Sequence, residues 1–226
     1  RIQEVARNSK SEFVLVAGDL FDSPTPSTSS VLEVLEAIGS IDIPVVVISG
    51  NHDYGSLGTI WYRDDFVRYL SELAPNLKLL LKREPLEMDN VLIFPCPLLR
   101  NKDTNDPTFW LRSFDWSSLS SDKPRVVLAH GAVQSFGGRD YTNFYQDPEK
   151  SNNLIDLNSL PNDSIDYIAL GDWHNLKQIN PKTWYSGTPE PDRFDQGNEN
   201  QRGQVLLVEV ERKKTPNVKS MPTGRI

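Results

Sequence analysis

Four apolar, β-branched runs end on residues that can bind metal or move protons, and this limits the fold more than any other feature of the chain. FVLVAGDLFD carries Asp19 just past its apolar stretch, VVVISGNHD carries Asn51, His52 and Asp53, RVVLAHG carries His130, and YIALGDWH carries Asp172 and His174. The chain holds only three histidines, and all three share this context. Short apolar runs bounded by Gly, Asn and Asp read as buried strands. Histidines scattered through a core would not all sit at strand ends.

Topology brings these ends together. Residues 2–8 read as the tail of an amphipathic helix and 13–17 as a strand. Ser27 to Ser30 offer capping hydroxyls ahead of the helical pattern Val31, Leu32, Val34, Leu35, Ile38, and Gly39 closes it before a strand over 44–49. Such a βαβ unit has parallel strands, so Asp19 and Asn51 emerge at the same carboxyl edge, where open α/β sheets place their ligands. A second amphipathic helix is predicted over 61–74, with Trp61, Phe66, Leu70 and Leu73 near one face. Strands are predicted over 77–81, 91–94, 126–129, 165–170 and 205–210. The polar stretches 98–124 and 133–153 lack periodicity, and loops of that length are usually functional or mobile.

With 226 residues, 38% hydrophobic and 24% charged, the chain can bury a sizeable core as one α/β domain over 1–226. A net charge of −7 argues against a strongly basic nucleic-acid scaffold. It does not exclude nucleic acid, because bound divalent cations offset acidic charge locally. Cys96 stands alone, so no internal disulfide can form, and no run approaches the roughly 18 apolar residues of a membrane span. A reducing, cytoplasmic setting is the expectation. The chain opens at Arg1 inside a helical pattern, so truncation at both ends is expected as well.

Asp, Asn and His without Cys is the donor set of a hydrolytic divalent-metal site. Two ions about 3.5–4 Å apart, held by a bridging carboxylate, could clamp a phosphate and lower the pKa of a bound water. Taken singly each residue has a plainer reading: a turn at Asp19, an Asx turn or cap at Asn51, a hydrogen-bonded core histidine at His130, an outer or structural role for Asp172, and a local cap at Asp22.

Taken in order, GDLFD (18–22), GNHD (50–53), AHG (129–131) and GDWH (171–174) resemble the successive blocks of the calcineurin-like metallophosphoesterase family. With YSGTPE (185–190), the chain is most similar to the SbcD-type exonuclease subunit of DNA double-strand-break repair complexes. The resemblance implies a layered α/β sandwich, two mixed sheets flanked by helices, with two divalent ions at loops on one edge. Mn²⁺ is the first expectation; Mg²⁺, Fe²⁺ and Zn²⁺ also suit the donors. It implies that Asp19 bridges the ions, that Asn51 and His130 hold one, and that His174 holds the other. His52 would be a non-ligand that protonates the leaving oxygen, with Asp53 orienting it. Two departures stand out: no Asp-x-His precedes Asp19, and Asp172 occupies a position where the family carries a histidine ligand.

Gly137, Gly138, Arg139, Tyr141, Phe144 and Tyr145 interleave aromatics with a cation after His130, a pattern that can stack bases and bind phosphate or can simply pack on a core. Residues 183–196, with Trp184, Tyr185, Arg193 and Phe194, follow GDWH. Arg139, Tyr141, Tyr185 and Arg193 are the candidate substrate contacts. The expected activity is DNA phosphodiester hydrolysis, with an SbcC-like ATPase and a second copy as implied partners. A phosphodiesterase or phosphatase on a small nucleotide or phosphoprotein, and a non-catalytic scaffold, are the alternatives.

Overall fold

The computed structural model describes residues 1–119, 122–133, 152–190 and 203–224. The chain enters through α1 (Ile2–Asn8) and runs into β1 (Val14–Ala17). α2 (Thr28–Gly39) opens at Ser27, whose Oγ accepts from the Ser30 amide at 3.1 Å and so satisfies one of the amides that a helix start leaves unpaired. Its Val31, Leu35 and Ile38 are buried, the i, i+4, i+7 stripe of a helix lying on a sheet. Gly39 ends it where a side chain could not fit, since a Cβ there would stand 1.8 Å from Leu73 O.

β2 (Val45–Ile48) pairs parallel with β1 in the register Val14↔Val45 to Ala17↔Ile48. β3 (Leu77–Leu80) adds to its other side, also parallel. Asn76 donates through Nδ2 to the carbonyls of Ile38, Ile41 and Ile43, tying the end of α2 to the start of β3.

The helix predicted over 61–74 is broken. A 3₁₀ turn (Ile60–Tyr62) is followed by Arg63 in extended backbone, and α3 (Asp64–Leu73) begins only there. The guanidinium of Arg63 binds Pro26 O, Thr28 Oγ1 and the Asp65 carboxylate, which holds the residue out of the helix. Trp61 is buried, and its Nε1 donates to Asp53 O. Asp64 and Asp65 then place negative charge at the positive end of α3.

The second half of the chain contributes β4 (Leu86–Glu87), β5 (Leu92–Cys96), β6 (Arg125–His130), β7 (Ala132–Val133), β8 (Leu154–Ile155), β9 (Tyr167–Gly171), β10 (Lys177–Asn180), β11 (Thr183–Tyr185), β12 (Gln204–Glu209) and β13 (Asn217–Pro222). A six-stranded sheet has the order β10-β11-β9-β6-β5-β4, parallel through β11, β9, β6 and β5 and antiparallel at both edges. β12 and β13 form a hairpin, and β7 pairs with β8. Of the two sheets expected to be mixed, only this one is. The three-stranded sheet is all parallel, because helices α2 and α3 make its crossovers.

The layers follow from strand alternation. Val46 and Ile48 of β2 face Ile93, Val126, Leu128 and Tyr167 across the gap between the sheets. Val45 and Val47 point the other way, onto α2 and α3 with Phe21, Trp61 and Phe66. The outer face of the six-stranded sheet is covered by 3₁₀ turns, Phe109–Arg112 and Trp116–Ser118, in place of α-helices. They bring Trp110, Phe114 and Trp116 onto Phe94, at ring centroids 6.2, 5.4 and 4.6 Å away. Cys96 is enclosed in the same cluster, and burial pushes its thiol up to about 12.

Phe94 is fully buried beneath these three aromatic rings. Phe94→Ala is expected to cost about 3–5 kcal/mol, read as a lower urea midpoint with an unchanged slope. A loss under about 1 kcal/mol would mean that the aromatic layer is not part of the cooperative core.

Candidate metal centre

Strand ends assemble the centre as topology requires. β1, β2, β6 and β9 all point their carboxyl ends to one edge, and Asp19, Asn51, His130 and Asp172 lie at or just beyond those ends. The two sheets meet here through His130. Its Nδ1 lies 2.7 Å from Ala17 O, the last residue of β1. A carbonyl oxygen only accepts, so Nδ1 carries a proton, and Nε2 is left to hold either a second proton or a cation. Around Nε2 stand Asn51 Oδ1 at 2.8 Å, Asp19 Oδ2 at 3.4 Å and Asp172 Oδ1 at 3.9 Å.

A nitrogen lone pair and three oxygen acceptors repel one another unless a proton or a cation lies among them. The electrostatics of Asp172 agree. Burial holds its carboxyl above the usual range, His130 opposes that shift, Asp19 adds to it, and His174 and His52 oppose it further. All three histidines therefore act on one carboxylate. In chemistry the donor set suits Mn²⁺, Fe²⁺, Zn²⁺ or Mg²⁺. In spacing the side chains are drawn in on one another, and among the described residues no group of three or more His, Cys, Asp and Glu stands ready-spaced around an ion.

The close approach rests on backbone that few residues tolerate. Asp19 (φ 52°) and Asp172 (φ 99°) are non-glycine residues at positive φ, each preceded by a glycine. A Cβ at Gly18 would stand 2.3 Å from His130 Nδ1, one at Gly50 2.1 Å from Asp19 Oδ1, and one at Gly171 1.9 Å from Ala17 O. These glycines are functional positions that the sequence reading passed over. The signal was present, since a glycine directly precedes Asp19, Asn51 and Asp172.

Asp53 departs from the orienting role expected of it. It is fully buried, and its carboxylate accepts from Gly50 N at 2.7 Å and Phe21 N at 3.1 Å, stitching the loop after β1 to the loop after β2. Burial raises its pKa to about 6, against the pull of those two amides. What holds His52 is the Asp22 carbonyl, 3.3 Å from Nδ1, while the His52 amide donates to Asp19 Oδ1 at 2.9 Å. A backbone carbonyl in this role leaves no trace in residue identity. His52 and His174 are both exposed at the rim, and His174 O accepts from Thr188 N at 3.0 Å.

Tyr185, expected to touch substrate, lies in the core at 2% exposure. Its hydroxyl donates to Gly131 O at 2.7 Å and accepts from Val133 N at 3.0 Å, bracing the turn directly after His130. Arg139, Tyr141 and Arg193 lie outside the described residues.

Gly18→Ala drives a methyl into His130 Nδ1, whereas Gly58, at a similar φ of 88°, has open space around it. Both substitutions to alanine are expected to lower the melting temperature through backbone strain of about 1–3 kcal/mol. Only Gly18→Ala should also weaken Mn²⁺ binding, by about 10- to 100-fold on titration. Equal Mn²⁺ affinity in the two variants would show that the glycine does not serve the centre.

Comparison with known proteins agrees with this geometry. Residues 1–196 match the calcineurin-like phosphoesterase family. The SbcD component of the nuclease SbcCD from Staphylococcus epidermidis is 25% identical over 221 residues, covering 88% of this chain and 56% of that protein, so the chain spans about half the length of this relative. The crystal structure of TT1561 of Thermus thermophilus superimposes with a TM-score of 0.50 at 9% identity, covering 96% of this chain and 90% of that one, which speaks for the fold alone. A family match over most of the chain, with the strand-end residues gathered around His130, makes this chain a member of the calcineurin-like phosphoesterase family, metal-dependent hydrolases of phosphate esters.

Proposed function

We propose that this chain is the nuclease core of an SbcD-type enzyme, a two-metal hydrolase of DNA phosphodiesters that works in DNA repair. The observation that supports it is the convergence of Asn51, Asp19 and Asp172 on Nε2 of His130. The similarity to the SbcD component of SbcCD favours DNA over a small phosphodiester. It also favours an SbcC-like ATPase as partner; a second copy of the chain and a cytoplasmic setting belong to the same proposal. Among the described residues no helix is long and apolar enough to cross a membrane.

Asn51, His130, Asp172 and Asp19 would hold one ion, and Asp19 and His174 would hold the second. Bound ions supply a nucleophilic water at neutral pH and neutralise charge on the phosphate. His52 is the proton carrier. The Asp22 carbonyl fixes its proton on Nδ1, which leaves Nε2 of an exposed ring to exchange a proton with the departing 3′ oxygen.

End-labelled DNA incubated with Mn²⁺ is expected to be degraded by the protein extended upstream of Arg1, and His52→Ala to slow that by about 100- to 10,000-fold. If DNA survives while bis(p-nitrophenyl) phosphate is hydrolysed, the substrate is a small phosphodiester and the DNA reading fails. If Mn²⁺ binds and neither is cleaved, the chain is a scaffold.

A further inference from the structure

β11 lies between β9 and β10 in the six-stranded sheet, although β10 follows β9 in the chain. The connection over residues 172–176, which carries Asp172 and His174, must therefore cross the end of β11. β11 runs parallel to β9, with Tyr185 opposite Leu170, so its own continuation leaves the sheet at the same edge and meets that crossing. Backbone packs on backbone there. A Cβ on Gly187 would stand 2.8 Å from His174 O, 2.8 Å from Asn175 C and 2.9 Å from Leu176 N, and the residue holds φ at 73°, where a side chain is strained as well. Thr188 N then donates to His174 O at 3.0 Å.

The same segment is anchored on its other side. Thr188 O accepts from Gly203 N at 3.0 Å, and Thr223 Oγ1 donates to Pro189 O at 2.6 Å, which ties the segment to the hairpin of β12 and β13. Two residues before Gly187, the buried Tyr185 reaches toward the other histidine. β9 separates β11 from β6, and the Tyr185 hydroxyl spans it to bridge Gly131 O and Val133 N. Any core tyrosine needs partners for its hydroxyl, but these belong to the turn directly after His130. Residues 185–188 thus hold the His174 loop at one end and the His130 turn at the other.

We infer that Tyr185, Gly187 and Thr188 are positioning residues, a brace that sets the imidazoles of His130 and His174 at a fixed separation. The inference rests on the proposed function, in which these two histidines hold different ions. It gives YSGTPE (185–190) a role other than substrate contact. Groups that orient metal donors commonly change affinity by about 10- to 100-fold when they are lost, although they never touch the ion.

The test uses the protein extended upstream of Arg1, first free of metal and then titrated with Mn²⁺. Ring ¹H–¹⁵N signals of the three histidines in this chain are assigned by replacing each in turn. Without metal, Gly187→Ala should displace the His174 signals, and Tyr185→Phe, which keeps the ring in the core, those of His130; both should leave His52 in place. Gly58→Ala, strained at φ 88° but with open space around it, should displace none. With Mn²⁺, Gly187→Ala should weaken uptake of the ion held by His174 by about 10- to 100-fold, and should add nothing once His174 is alanine. His174 signals that ignore Gly187→Ala, or an equal loss of Mn²⁺ with and without His174, would overturn the brace. Ring signals that move as stated in a protein that takes up a single Mn²⁺ would uphold the brace and overturn the two-ion reading.

Discussion

The hydrogen bond from His130 Nδ1 to the carbonyl of Ala17 is the contact on which the centre depends. It crosses between the two sheets at their common carboxyl edge, and by fixing the proton on one ring nitrogen it decides what the other can do. Every close approach around it follows. Gly18, Gly50 and Gly171 lack side chains because a Cβ on any of them would strike the His130 ring, Asp19 or the Ala17 carbonyl. Asp19 and Asp172 take up positive φ to turn their carboxylates onto the same nitrogen. The backbone strain is offset by the rigid apolar layer behind it, where Val46 and Ile48 meet Ile93, Val126 and Leu128.

Much of this was legible in the sequence, for a definite reason. β-branched runs ending in Gly-Asp, Gly-Asn or Ala-His carry their own geometry: a strand, a stop, and a polar residue at the exit. Parallel pairing then brings Asp19 and Asn51 together at the edge of one sheet and His130 and Asp172 at the edge of the other, and the resemblance joined the two pairs. The βαβ unit was equally plain, because Ser27 and Gly39 punctuate α2 at both ends. Where the reading failed, the deciding interaction was tertiary. Arg63 leaves the helix because its guanidinium is held by Pro26 O and Thr28, residues far away in sequence. β10 and β13 are polar edge strands without an apolar run and β11 spans only three residues, so partner strands create all three.

The same limit applies to roles within the site. Asp53 beside His52 suggested an orienting pair, yet its carboxylate faces backbone amides and a carbonyl from Asp22 takes that place. Tyr185 looked like a surface aromatic but braces Gly131 and Val133 from inside the core. Residue type reports what a side chain can do, and only packing reports which partner it meets.

The central claim is that Nε2 of His130 and the oxygens around it form a cation site, and Mn²⁺ titration followed by electron paramagnetic resonance tests it most directly. Parent protein should take up Mn²⁺ with loss of the free-ion signal, and His130→Ala should weaken that uptake at least about 10-fold while keeping its folded circular dichroism spectrum. Identical Mn²⁺ uptake by the two proteins would contradict the account, because the oxygens would then need no imidazole between them.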